Sequence, residues 1–150
     1  MVNRSDVVFE ARSWIGTRFH HQGRLKKTAS DKGGVDCIGL ILGVVNSLGV
    51  THNGISYNEY DRTDYAKIPD GNILRSSFQY YLKEIDVGCV NSGDVLMFKF
   101  DKNPQHVGFV VKEKKYKNLI HCYAQARGVV EHRLDEHWKN RIVTAFTFLD

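Results

Sequence analysis

Three short apolar runs in the second half of the chain constrain its fold most: residues 95–100, 106–111 and 118–124, separated by a turn at 101–104 and a charged stretch at 112–117. Runs of this length and spacing read as a hairpin followed by a returning strand. A turn centred near residues 113–115 sets His106 opposite a residue between 120 and 124. Side chains alternate between faces along a strand, and facing or diagonal cross-strand neighbours lie within reach of each other. His106 and His121 are therefore predicted to share one face, and Cys122 to point to the other, into the core.

Upstream, Gly33-Gly34-Val35-Asp36-Cys37 leads into apolar residues at 38, 41, 45 and 48, the spacing of a helix face, which predicts Cys37 in a first helical turn. Unsatisfied N–H groups and the positive end of the helix dipole favour an anion there, so the thiol is expected to have a lowered pKa. A thiol, a histidine to take its proton and a second polar group to hold that imidazole are the parts of an activated nucleophile. The pattern nominates Cys37 as nucleophile, His106 as base and His121 as orienter. Taken singly, each has a plainer reading, a packed cysteine or a satisfied structural histidine, and only the joint arrangement points to catalysis.

These residues belong to an ordered set of blocks. Arg12-Ser13-Trp14-Ile15-Gly16-Thr17-Arg18-Phe19-His20-His21-Gln22, Val35-Asp36-Cys37-Ile38-Gly39-Leu40, Gly93-Asp94-Val95-Leu96-Met97-Phe98, His106-Val107-Gly108 and Ile120-His121-Cys122-Tyr123 resemble, in that order, the blocks of the NlpC/P60 cysteine peptidases, which are papain-like cell-wall hydrolases. The likeness is narrower still to the branch found in phage tails and gene transfer agents, and the end of the chain, residues 138–148, is similar too. The resemblance implies an α+β, papain-like fold, with N-terminal helices, the nucleophile at a helix N-terminus, and an antiparallel sheet beneath. It carries the nucleophile to Cys37, the base to His106 and the third polar residue to His121. It implies peptidoglycan stem peptides as substrate, commonly at the bond after D-glutamate, phage-like tail proteins as partners, and no cofactor. Phe19 stands where many members have a tyrosine, and a phenyl ring donates no hydrogen bond. Phe19, Gln22 and Asp36 are the candidate substrate-binding residues, with Gln22 or His20 as replacement donors.

A chain of 150 residues is long enough for one core, and no Pro-rich or Ser-rich linker or internal repeat divides it, so residues 1–150 are expected to form a single NlpC-type domain. A first helix is predicted with Ser5 or Asp6 as N-cap, Val7, Val8, Ala11, Trp14 and Ile15 on its apolar face, and Gly16 as its stop; another is predicted over 73–82. Gly39 and Gly43, about one turn apart, would admit another backbone close to the nucleophile helix, and residues 51–71 read as loop with one short turn. The net charge of +4 comes largely from Arg24, Lys26, Lys27 and Lys32 before Cys37 and from the lysines at 112–117. These read as solvated faces; no interleaved aromatic and basic pattern supports nucleic acid as a partner.

No apolar stretch is long enough to span a membrane and the first residues do not read as a secretory signal, so synthesis is expected in the cytoplasm, with association to a virion tail or release on lysis. Three cysteines argue against a disulfide framework. Three other readings stay open: a catalytically weak structural tail component of the same fold, an amidase or acyltransferase using the same thiol, and, least favoured in the absence of CxxC or HExxH, a zinc site at Cys37, His106 and His121.

Overall fold

The computed structural model describes residues 1–61, 71–100 and 103–149. Asn3 opens the first helix, α1 (Arg4–Arg12). Its side chain accepts the Asp6 N–H and the Asp6 carboxylate accepts the Asn3 N–H, each at 2.9 Å, a reciprocal capping box that satisfies two orphan donors. The cap is thus Asn3 rather than Ser5 or Asp6; Asp6 is the far half of the box. Val7, Val8 and Ala11 are buried on the inner face, and the chain turns away at Gly16, whose φ of +94° suits glycine.

A two-stranded ribbon of β1 (Arg24–Leu25) and β2 (Gly34–Val35) precedes α2 (Cys37–Ser47). Asp36 caps α2, its Oδ1 accepting the Gly39 N–H at 2.8 Å. The buried side chains of α2 are Leu40, Ile41, Val44 and Val45, while Ile38 and Leu48 are half-buried. The core stripe is therefore rotated from the predicted 38, 41, 45 and 48. This helix is apolar nearly all round, so periodicity alone does not choose its inner face.

Residues 51–61 are more structured than the loop predicted over 51–71. β3 (Thr51–His52) and β4 (Ile55–Ser56) form a hairpin around Asn53 and Gly54, whose φ values of +52° and +78° are those of a two-residue primed turn. A 3-10 turn follows at Tyr57–Tyr60, and Tyr57 is buried with its hydroxyl donating to the Tyr81 carbonyl. Residues 62–70, which include Tyr65, lie outside the described residues. The helix predicted over 73–82 is α3 (Gly71–Tyr81).

The remaining strands are β5 (Lys83–Ile85), β6 (Val95–Phe100), β7 (Asn103–Lys112), β8 (Lys117–Tyr123), β9 (Gly128–Arg133) and β10 (Ile142–Thr147), with a short helix α4 (Glu136–Lys139) before β10. They form one six-stranded sheet in the order β5-β10-β6-β7-β8-β9, every pair antiparallel. The predicted hairpin and returning strand are β6, β7 and β8, although β7 starts at Asn103 rather than His106, and the turn read at 101–104 begins outside the described residues.

Alternation gives the sheet two faces. Val95, Met97, Val107, Phe109, Ile120, Cys122 and Phe146 pack against Val7, Ala11 and Trp14 from the α1 region and against Leu40, Ile41, Val44 and Val45 of α2. Leu96, Phe98, Val110, Leu119 and Ala145 pack on the other face against Leu134 and Trp138. Among the described residues no helix is long and apolar enough to cross a membrane.

Both glycines of α2 make close approaches, one to backbone as expected and one to a ring. A Cβ on Gly39 would lie 2.3 Å from the Gly23 carbonyl oxygen, and one on Gly43 would lie 2.3 Å from the buried Trp14 indole. Alanine at 43 gains about 1 kcal/mol of helix propensity but forces a stiff ring to move in a filled core, which costs roughly 1–3 kcal/mol. Gly43→Ala should therefore lower the urea midpoint; a midpoint at or above that of the unaltered protein would show that the indole can shift freely.

Candidate active site

The register of Phe109 against Ile120, extended along the strands, leaves His106 diagonal to His121 on the face away from α2. Their rings meet, with His106 Nε2 2.7 Å from His121 Nδ1. Gly108, between them in register, makes this possible: a Cβ there would come within 2.8 Å of His121 Cβ and 2.7 Å of Leu119 Cδ1. Both histidines are enclosed, His106 being 3% and His121 0% exposed. Tyr123 stacks on His121 at 4.6 Å and Trp138 of α4 meets it edge-on at 4.7 Å. Cys122 points to the opposite face, into the core, and donates to the Val35 carbonyl.

The chain of rings continues beyond the two predicted histidines. His132 on β9, directly across from Leu119 and so diagonal to His121, brings its Nε2 to 2.8 Å from His121 Nε2. Its Nδ1 lies 2.8 Å from the Arg133 carbonyl oxygen. His132 and Trp138 are site residues that the sequence reading missed. Adjacent Val129 and Val130 break simple alternation before His132; the histidine's face emerges only from the register with β8.

Cys37 sits at the start of α2 and packs against the helix-side cluster. The backbone N–H groups of Val107 and Ile38 lie near its thiol and favour its anion. The thiol thus lies against the residue that follows His106, although among the described residues no hydrogen bond joins the thiol to the imidazole. His106 packs instead among Phe98, Phe100 and Trp138.

The predicted lowering of the thiol pKa is reversed. Cys37 is half-buried, and desolvation, joined by the neighbouring Asp36 carboxylate, pushes its thiol up to about 12, against the opposing pull of the two N–H groups and Arg24. Burial likewise pushes His106 down to about 3, and His121, with His106 and His132 as added like charges, down to about 2. At neutral pH the resting groups are a thiol and two uncharged imidazoles.

Of the candidate substrate-binding residues, Asp36 is buried with both oxygens engaged by the protein. Oδ1 takes the Gly39 N–H and Arg24, and Oδ2 takes the Gln22 N–H at 3.0 Å. Gln22 is half-buried with a positive φ of +61°. Phe19 is also half-buried, bridged to Val35 and packed on the same cluster as Cys37. His20 is exposed and bonded to the His21 carbonyl. Arg24, read as part of a solvated face, is instead a tie, forking onto Asp61 at 2.8 and 3.0 Å as well as touching Asp36. Among the described residues no group of three or more His, Cys, Asp or Glu side chains is arranged to hold a metal ion.

Two measurements check these charge states. Cys89 is exposed, so iodoacetamide at pH 7 should label it well before Cys37, with Cys37 labelling accelerating as pH rises; faster labelling at Cys37 would mean a stored thiolate. Acid stability follows from the histidines. From about pH 6.5 down to their folded values near 3 and 2, the unfolded chain binds protons that the folded imidazoles refuse. Stability therefore falls as pH falls through that window. Replacing His121 by Asn should flatten the loss in urea unfolding between pH 7 and 4.5; an unchanged slope would contradict buried neutral rings.

The NlpC/P60 family model matches residues 16–147. No curated protein sequence matches. Among solved structures, an NlpC/P60 family protein from Bacillus cereus superposes with a TM-score of 0.70 at 18% identity over 99% of this chain, which spans 41% of that protein. The NlpC/p60 domain of the peptidoglycan hydrolase SagA gives 0.59 at 19% identity, covering 97% of this chain and 99% of the domain. An N-acetylmuramoyl-L-alanine amidase from Bacteroides uniformis gives 0.58 at 10% identity, covering 95% and 96%. With its α+β architecture and its match over all but the two ends, the chain belongs to the NlpC/P60 family of cysteine peptidases.

Proposed function

We propose that the chain hydrolyses amide bonds in peptidoglycan stem peptides, with Cys37 as nucleophile, His106 as base and His121 as orienter. The observation that carries this reading is the thiol beside Val107, one residue from an imidazole whose Nε2 is bound to His121. That bond leaves Nδ1 of His106 as the nitrogen to exchange a proton with the thiol. Catalytic contacts that are long in a resting enzyme tighten when substrate binds.

Because thiol and imidazole rest uncharged, the proton passes from Sγ to His106 Nδ1 as sulfur attacks the carbonyl carbon. The carbonyl oxygen takes up negative charge, for which the Cys37 N–H at the helix start is the proposed donor. The imidazolium returns its proton to the leaving nitrogen, the C–N bond breaks, and a thioester remains. Water, deprotonated by the same Nδ1, adds to the thioester carbon; the C–S bond then breaks, releasing the acid and restoring the thiol.

Peptidoglycan as substrate is supported by the family and by relatives described as a peptidoglycan hydrolase and an N-acetylmuramoyl-L-alanine amidase. The amidase likeness favours, as a second reading, cleavage between sugar and peptide by the same thiol. Action within a phage-tail or gene-transfer-agent particle is proposed from the sequence blocks at 12–22 and 138–148.

Mass spectrometry of digested muropeptides tests both readings. New amine and acid termini within the stem peptide support the first and release of the whole stem the second, whereas a cut glycosidic bond with stems intact would overturn the mechanism. Cys37→Ala should lower turnover by several orders of magnitude, while Cys89→Ser should not. His106→Asn should be nearly inactive, because an amide cannot take a proton. His121→Asn should retain measurable turnover, since its carbonyl oxygen can accept the His106 Nε2–H. The reverse order of the two histidine variants would overturn the assigned roles.

A further inference from the structure

The three linked imidazoles carry directional information. A carbonyl oxygen only accepts hydrogen bonds, so at the Arg133 end His132 Nδ1 bears the proton. In a neutral His132, Nε2 is then an acceptor, and the 2.8 Å contact requires His121 Nε2 to donate. A neutral His121 that donates from Nε2 accepts at Nδ1, so the 2.7 Å contact requires the proton on His106 Nε2. The remaining nitrogen, His106 Nδ1, is left with a bare lone pair.

We propose that His132 is a positioning residue: anchored by the Arg133 carbonyl, it fixes the direction of the hydrogen bonds through His121 so that His106 presents an unprotonated Nδ1 to Cys37. His121 alone cannot do this. A neutral histidine can accept at Nδ1 and donate from Nε2, or the reverse, and both forms satisfy a bond to His106. In the reversed form His121 Nδ1 donates to His106 Nε2, His106 carries its proton on Nδ1, and it has no lone pair there to accept from a thiol. The acceptor at His132 removes that degeneracy. His132 itself touches neither Cys37 nor a substrate in this scheme, and it is half-exposed, so its substitution need not disturb the core.

The inference rests on the proposed hydrolase reading for its kinetic arm only. Three variants separate acceptor from donor at position 132. Glutamine sets its carbonyl oxygen close to the former Nε2 and still accepts, leucine offers nothing, and lysine can only donate and so imposes the reversed direction. In the otherwise intact protein, kcat on a defined muropeptide should fall no more than about 3-fold in His132→Gln. It should fall about 10- to 100-fold in His132→Leu and at least as far in His132→Lys, with KM little changed throughout. Ring 15N chemical shifts of His106 should report the proton on Nε2 in the unaltered protein and in His132→Gln, and on Nδ1 in His132→Lys. Thermal midpoints verify that each variant is folded. The proposal is overturned if folded His132→Lys keeps the kcat of the unaltered protein, if glutamine and leucine are equally impaired, or if His106 already bears its proton on Nδ1. The 15N arm needs no substrate, so a chain that failed to cut peptidoglycan would refute the hydrolase reading while leaving this one to its own result.

Discussion

The pairing of Phe109 with Ile120 governs what each face of the sheet can do. A slip of one residue between β7 and β8 would turn His121 toward the helices and Cys122 toward Trp138, because side chains alternate with a period of two. Large apolar groups on both faces oppose that slip. Phe109 and Ile120 fill the helix-side core, and Leu119 and Val110 fill the other. Gly108 then sets how closely the rings can come, since any side chain there would meet His121 and Leu119. The site geometry is thus held by hydrophobic packing on either side of it and by one missing side chain within it.

At the other end of the site two effects compete for the thiol, and their sizes decide the outcome. A helix N-terminus stabilises an anion by up to about 2 kcal/mol. Taking a charged group out of water costs several kcal/mol when no partner neutralises it. Arg24 is the nearby cation, but it is shared by two carboxylates, Asp36 and Asp61, so the surroundings do not favour an additional negative charge. Asp36 itself is committed to capping the helix that carries Cys37. The residue that caps the helix carrying Cys37 therefore also discourages ionisation of its thiol.

Much of this was legible in the sequence because it depends on local periodicity. Alternation and a charged turn at 112–117 placed His106, His121 and Cys122 on their correct faces, and the apolar run after Asp36 placed Cys37 in a first turn. The Asn53-Gly54 pair is itself a turn signal, but its flanking strands, only two residues each, show no alternation to support it. His132 was hidden for a different reason. Its partnership with His121 depends on the β8–β9 register, which is set across a turn at Ala124–Arg127 with no strong signal of its own. The thiol's charge state was misjudged because helix position can be read from a string, whereas burial and a flanking arginine shared with Asp61 cannot.

The same rings that enclose His106 have two opposed effects on it. Phe98, Phe100, Trp138 and Tyr123 lie with centroids 5.6–6.1 Å from the imidazole, close enough for their π-electrons to attract a cation by roughly 0.5–2 kcal/mol each where a face is presented. They also exclude the water that would solvate an imidazolium, and that burial pushes the His106 pKa down. An imidazole so placed gives up its proton readily. In the proposed mechanism, a base that must accept a proton from sulfur and pass it to a leaving nitrogen gains in the second step what it lacks in the first. In the proposed tautomer the hydrogen bond to His121 reduces the loss, because the Nε2–H donor strengthens as positive charge appears on the ring. Under the proposed direction of the histidine chain, burial and that chain are complementary: one keeps His106 neutral at rest, and the other holds it in the tautomer from which it can accept a proton.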